Sequence, residues 1–322
     1  MGRISYQGRL DPQMRAALEK QNELAPEIGE MHKIAIHELR RLYDSERRYW
    51  NADGPDLPEI KDDTIPGPLG TIPVRFYFPN PKRPLPGLVY LHGGGFVLGS
   101  LDTHDRIMRL LAQKSGAAVI GVDYRLSPEH KFPTPLEEAA AVVKYLRKNG
   151  TGLGIDADRL AMGGDSAGAN ISIGASLMVR SEYPDLLKIL LLFYGIYGLR
   201  DSGSRRLFGG PEDGLGEENL AFYQKCYLNR NEDAADPRYN VLGADLRGLP
   251  PLFIGAVEHD PLFDDSMTLK KIADADRVPT ELKIYRGVLH GFLHLSRMVD
   301  TASRALEDAA ASLRNALLSS SS

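Results

Sequence analysis

The sequence predicts an α/β fold, a mostly parallel central sheet flanked by helices and closed by a helical cap. Three observations carry the prediction. Short continuous apolar runs alternate along the chain with stretches of helical period, the pattern of strands buried on both faces. Several runs end in sharp glycine-rich turns, which in such sheets place ligand sites at the carboxyl ends of the strands. The 322 residues, at about 150 per domain, suffice for two domains or for one large α/β domain with a lid.

Residues 1–55 read as the N-terminal part of the cap: Ile34, Ile36, Leu39 and Leu42 recur at helical spacings among many charges, and Pro55 and Pro58 end the segment. From Ile60 to Pro79 two strand-like runs surround Pro66-Gly67-Pro68-Leu69-Gly70, and Thr71 to Phe78 alternates, which predicts an antiparallel hairpin at a sheet edge. Strands follow at Leu88 to Leu91, Ala117 to Val122, Leu160 to Met162, Ile189 to Phe193, Leu252 to Val257 and Thr280 to Tyr285. Helices fall near 103–114, 135–147, 167–180, 262–275 and 297–317. Residues 196–250 break this rhythm, with one helical piece around 217–228, and 196–236 is assigned to a cap insertion. The core then comprises 56–195 and 237–318, and the serines at 319–322 form a frayed tail.

Composition narrows the function. Apolar residues make up 43% and charged residues 25%, close to the globular average, so the chain can bury a large core. Lys plus Arg number 39 against 43 Asp plus Glu, a formal charge of −4, which leaves no basic excess for nucleic acid or an anionic membrane surface. The single Cys226 forms no intrachain disulfide and no thiolate cluster, and is read as a small core residue. Arg3 and Arg9 are followed by no apolar leader, and no run approaches the roughly 18 apolar residues of a spanning helix. A soluble cytoplasmic protein is expected.

Gly164-Asp165-Ser166-Ala167-Gly168 fits G-x-S-x-G between a strand ending near Gly163 and a helix starting near Ala167. Small residues on either side let the backbone bend tightly, which projects the Ser166 hydroxyl upward while the helix N-terminus supplies positive potential. His92-Gly93-Gly94-Gly95-Phe96 follows a strand directly, and its glycines leave backbone N–H groups uncovered by any Cβ. Such donors can stabilise the oxyanion of acyl transfer, so Gly93, Gly94 and Ala167 are expected to form the oxyanion hole. His92 is expected to hold the loop by hydrogen bonding.

A serine hydroxyl needs a base, and the base needs an orienting carboxylate. In sheets that carry this nucleophile turn, the acid and then the base follow on loops after late strands. Asp260, in Glu258-His259-Asp260-Pro261-Leu262, and His290, in Leu289-His290-Gly291-Phe292, lie after the strands ending near Val257 and Tyr285. His294 is a rival base, expected to pack or to face solvent, and Glu258, Asp264 and Asp265 are rival acids. Asp264 and Asp265 read as charges complementing a helix N-terminus. His290 and His294 have the spacing of a zinc helix, but Gly291 stands where H-E-x-x-H requires Glu, so no metal is expected. Asp102, His104 and Asp105 are assigned to a helix cap and first turn.

Taken in order, His92 to Phe96, Tyr124-Arg125-Leu126-Ser127-Pro128-Glu129, Gly164 to Gly168, Asp260-Pro261-Leu262-Phe263-Asp264 and His290-Gly291-Phe292 resemble the hormone-sensitive lipase family of carboxylesterases. The likeness covers about residues 60–317. It implies the α/β-hydrolase fold with a cap from the N-terminus plus a later insertion. It also implies a carboxylesterase preferring acetyl to about butyryl esters, which needs no cofactor and works through an acyl-enzyme. Ser166 would be the nucleophile, His290 the base and Asp260 its orienting acid. Ser127, where many members have Ala, departs from the family pattern outside that triad. The partner implied is a small-molecule ester. The resemblance also admits a homo-oligomer and, because some members act as regulatory protein partners, a binding role.

Overall fold

The computed structural model describes residues 6, 8–24, 31–210 and 215–318. The tail assigned to 319–322 and the first five residues lie outside this set. The chain begins with helices α1 (Pro12–Leu24) and α2 (Ile36–Asn51), then forms the hairpin β1 (Glu59–Gly67) and β2 (Gly70–Phe78). The core continues as β3 (Leu85–Leu91), α3 (Asp105–Ser115), β4 (Ala118–Val122), α4 (Thr134–Asn149), β5 (Ile155–Asp165), α5 (Ala167–Val179) and β6 (Leu187–Phe193). Two helices of the insertion follow, α6 (Gly203–Leu207) and α7 (Glu217–Tyr227). The chain closes with β7 (Leu252–His259), α8 (Phe263–Ala275), β8 (Thr280–Leu289) and α9 (Asp300–Leu318).

The eight strands form one sheet in the order β1-β2-β4-β3-β5-β6-β7-β8. The hairpin strands pair antiparallel, as does β2 with β4, and every later pair is parallel. The antiparallel edge shows the expected alternation: Ile72, Val74 and Phe76 are buried while Thr71 and Pro73 face water. The inner strands are buried on both faces, and their period-two geometry divides each between two apolar layers. Val89 and Leu91 of β3 pack with Leu136 of α4, Ile171 of α5 and Leu269 of α8. Leu88 and Tyr90 face the other way, into a layer with Leu111 of α3 and Leu306 of α9.

The N-terminal helices contribute to that second layer. Met14 and Ala17 of α1 and Trp50 of α2 are buried in it, and the Trp50 indole N–H donates to Glu46 Oε1 at 2.6 Å. At the other end of α2 Leu39 meets Val97 and Leu98, with Phe222, Tyr223 and Cys226 of α7 packed alongside. No described helix is long and apolar enough to cross a membrane.

Candidate active site

The carboxyl ends of β3, β5, β7 and β8 converge on one place. Ser166 sits between β5 and α5 with φ +52° and ψ −116°, a left-handed conformation that costs energy for a residue with a Cβ. The residues two positions to either side must be glycine for a steric reason: a Cβ on Gly164 or Gly168 would collide with the carbonyl oxygen of Leu91 on β3. The tight turn therefore presses against the loop that follows β3. It also leaves Ser166 at the N-terminal end of a thirteen-residue helix, where the dipole is positive.

His290 follows β8 directly and places Nε2 2.9 Å from Ser166 Oγ. Its other ring nitrogen lies 2.7 Å from Asp260 Oδ2. Asp260, after β7, is fully buried, and its Oδ1 accepts the Leu262 N–H at 2.7 Å, so the carboxylate is fixed from both sides. The Tyr194 ring stands edge-on to the His290 ring, 4.8 Å between centroids. The three residues expected to act together are thus joined in one hydrogen-bonded chain.

The glycine loop departs from expectation at one position. The Gly93 N–H already donates to Asp165 Oδ1 at 3.1 Å and lies 3.2 Å from His104 Nε2, so it is spent inside the protein. Among the described residues, no acceptor takes the N–H of Gly94, Gly95 or Ala167. The Gly94 carbonyl accepts from Val97 and Leu98, at 3.1 and 2.8 Å, which closes the loop into a turn with Gly94 at φ +124°. His92 holds this loop as expected, with Nδ1 2.8 Å from the Gly93 carbonyl oxygen. Burial pushes its pKa down to about 3, so it stays neutral.

A family model for the α/β hydrolase fold matches residues 88–294. The acetyl esterase of Salmonella dublin is 46% identical over 278 residues, 85% of each chain. This chain belongs to the hormone-sensitive lipase-like family of α/β-hydrolases. Among solved structures, the hyperthermophilic esterase of Pyrobaculum calidifontis superposes with a TM-score of 0.90 at 34% identity, over 95% of this chain and 98% of that one. A thermostable carboxylesterase cloned from a metagenomic library gives 0.86 at 37% identity, over 89% and 99%. The protein is accordingly a carboxylic ester hydrolase.

In this hydrolase the rival residues have other work. His294 neither faces solvent nor reaches Ser166: it is buried in a 3₁₀ turn, Phe292–Leu295, with its ring edge-on to His104 at 4.4 Å. Burial, with the nearby Arg47 charge, holds its pKa well below the usual imidazole value. Asp265 is more than a helix-end charge, because it is fully buried and its Oδ1 accepts the N–H groups of Tyr197, Gly198 and Leu199 at 2.8, 3.0 and 3.2 Å. It thereby fixes the start of the insertion. Asp264 Oδ2 accepts from Ser204 N at 2.8 Å, and Glu258 lies 3.7 Å from His259.

Asp102, His104 and Asp105 occupy the cap and first-turn positions expected of them: Asp102 opens a 3₁₀ turn (Asp102–His104), His104 is the N-cap of α3 and Asp105 lies in its first turn, although the caps make no side-chain hydrogen bond. Asp102 pairs with Arg75 at 2.7 Å, Asp105 accepts from the Tyr77 hydroxyl at 2.8 Å, and His104 lies buried beneath the glycine loop. The side chains at these positions thus go to long-range partners. His104, Asp165 and His294 bring ligand atoms within 4.8 Å of one another. The donor set suits a cation poorly, because Asp165 Oδ1 already accepts two hydrogen bonds, the Gly93 N–H approaches His104 Nε2, and the Arg47 charge acts on His294. Sequence reasoning passed over Asp165, although an acid closing a strand buried on both faces must find partners inside the protein.

Proposed function

We propose that the chain is a serine carboxylesterase for short acyl esters, acetyl to about butyryl, and that it works through an acyl-enzyme on Ser166. The observation that carries this reading is the chain Ser166–His290–Asp260, hydrogen-bonded at 2.9 and 2.7 Å beside unspent backbone amides. The acetyl esterases of Salmonella, similar over most of their length, support the short acyl preference.

In this reading His290 Nε2 takes the Ser166 proton as Oγ bonds the ester carbonyl carbon, and Asp260 holds the imidazolium in place. The carbonyl oxygen becomes an oxyanion held by the N–H groups of Gly94 and Ala167, with Gly95 taking the part expected of Gly93. Each such donor lowers the barrier by about 3 kcal/mol. Collapse of the intermediate breaks the bond to the alcohol oxygen, which leaves with the proton from His290. Water then gives a proton to His290 and attacks the acyl carbon, and Ser166 Oγ departs and regains its proton.

Phosphonylation tests the assignment. A p-nitrophenyl alkylphosphonate should release one equivalent of nitrophenol per chain and leave its adduct on the peptide carrying Ser166. An adduct elsewhere, or none in an enzyme that turns over, would refute Ser166 as nucleophile.

A further inference from the structure

One carboxylate outside the proposed triad touches nearly every part of the site. Asp165 closes β5 immediately before Ser166 and is almost wholly buried. Its Oδ1 accepts the Tyr90 hydroxyl from β3 at 2.9 Å and the Gly93 amide from the glycine loop at 3.1 Å. His104 Nε2 stands 3.5 Å from the same oxygen, and the Tyr194 hydroxyl stands 3.5 Å from Oδ2. Burial alone would favour the neutral acid, yet His104 and the Tyr90 hydroxyl hold the carboxyl below its ordinary pKa, so it is an anion. A buried anion with four polar neighbours on different elements is a rigid fixture.

The contacts are those that decide how the glycine loop lies. The loop is short of constraints of its own, since Gly93, Gly94 and Gly95 lack side chains and both Gly94 and Gly95 have positive φ. A Cβ on Gly93 would stand 2.5 Å from Asp165 Oδ2, so the loop is pressed against the carboxylate. Tyr194 is held at φ +36°, an uncommon conformation for a bulky residue, and the same ring that reaches Asp165 with its hydroxyl packs on His290.

We infer that Asp165 is a positioning residue of the hydrolytic reaction: by drawing in the Gly93 amide it sets the loop so that the Gly94 and Gly95 amides stay unspent next to the nucleophile turn. It touches neither substrate nor the reacting atoms. It acts through the loop and through Tyr194. The inference rests on the esterase reading above.

The test compares wild type with Asp165→Asn, which keeps the shape and removes the charge, and with Tyr90→Phe, which keeps the carboxylate and removes one of its anchors. Hydrolysis of p-nitrophenyl acetate gives kcat and KM. A trifluoromethyl ketone, which forms a tetrahedral adduct with a serine, reports on the oxyanion donors, and the matching methyl ketone reports on ground-state binding. Asp165→Asn should lower kcat and trifluoromethyl ketone affinity together, by about a hundredfold, with KM and methyl ketone affinity within about threefold. Tyr90→Phe should show the same pattern at about five- to tenfold, and it carries the test alone if Asp165→Asn does not fold. A folded variant that keeps wild-type kcat and trifluoromethyl ketone affinity, or that loses both ketones equally, overturns the inference. A wild type without Ser166-dependent turnover defeats the esterase reading instead and takes this inference with it.

Discussion

Arg40 of the cap helix α2 grips Glu129 of the core with two parallel hydrogen bonds, Nη1 to Oε1 at 2.9 Å and Nη2 to Oε2 at 2.7 Å. The same guanidinium donates to the carbonyl oxygens of Val97 and Ser127, each at 2.9 Å. One side chain thus ties α2 both to the residues that continue the glycine loop and to the loop that follows β4. Half-exposed Glu129 makes the ion pair itself a modest contribution, and the carbonyl contacts give the clamp its geometry.

Arg40→Ala should therefore loosen the cap with little effect on the chemistry. KM for a short ester is expected to rise by about three- to tenfold while kcat changes less than about threefold. Steady-state kinetics on p-nitrophenyl butyrate check this, and an unchanged KM would show that the clamp does not shape the site.

Gly94 has no tolerance for a side chain. Its φ is +124°, and a Cβ would collide with the Leu98 carbonyl. Gly94→Ala must displace the turn and with it the amide proposed as an oxyanion donor, so kcat should fall by about a hundredfold or more in a chain that still folds. Wild-type turnover by this variant would remove Gly94 from the oxyanion hole.

The two histidines near the site separate by substitution and by pH. His290→Asn should lose several orders of magnitude in kcat, whereas His294→Asn should keep activity within about tenfold. The kcat/KM of wild type should decline as pH falls and the free-enzyme His290 imidazole takes up its proton. Exchanged behaviour of the two variants would mean that His294 is the base.

The strand–helix alternation and the hairpin around Pro66 to Gly70 were legible because each follows from local period and turn chemistry. That Asp260 and His290 would lie beside Ser166 could be expected for a related reason, since both fall just after apolar strand runs and follow Ser166 in the chain. His104, Asp165 and His294 could not be brought together in that way, because 61 and 129 residues of chain separate the successive members and only tertiary packing joins them. Asp265 does lie in the first turn of α8 as expected, but its further role was hidden for the opposite reason. Its position at the start of α8 satisfies a local rule, and its actual partners, Tyr197 to Leu199, come from the insertion. Gly93 was expected to donate to the oxyanion, and no sequence pattern shows that its amide, among three glycine amides, is already spent on Asp165.

Acid should destabilise the fold through buried imidazoles. His92 titrates near 3 in the folded chain and His294 well below 6.5, whereas both regain about 6.5 on unfolding, so the unfolded state binds more protons below that pH. Their contribution is intact above about pH 6.5 and is lost as pH falls toward 3. Asp123, pushed up to about 6 by burial, opposes this in part, because it binds its proton more readily when folded. The urea midpoint should drop between about pH 7 and about pH 5, and less steeply in His294→Asn, which removes one of the two imidazoles. Equal slopes for the two proteins would show that His294 is protonated in the folded state.

The most direct test of the account is steady-state hydrolysis of p-nitrophenyl acetate, butyrate, octanoate and palmitate by wild type and by Ser166→Ala, with and without a chelator. The account predicts kcat/KM that falls steeply beyond butyrate, is indifferent to the chelator, and drops by several orders of magnitude in Ser166→Ala. Turnover that survives in Ser166→Ala, or that rises toward the long esters, would contradict it.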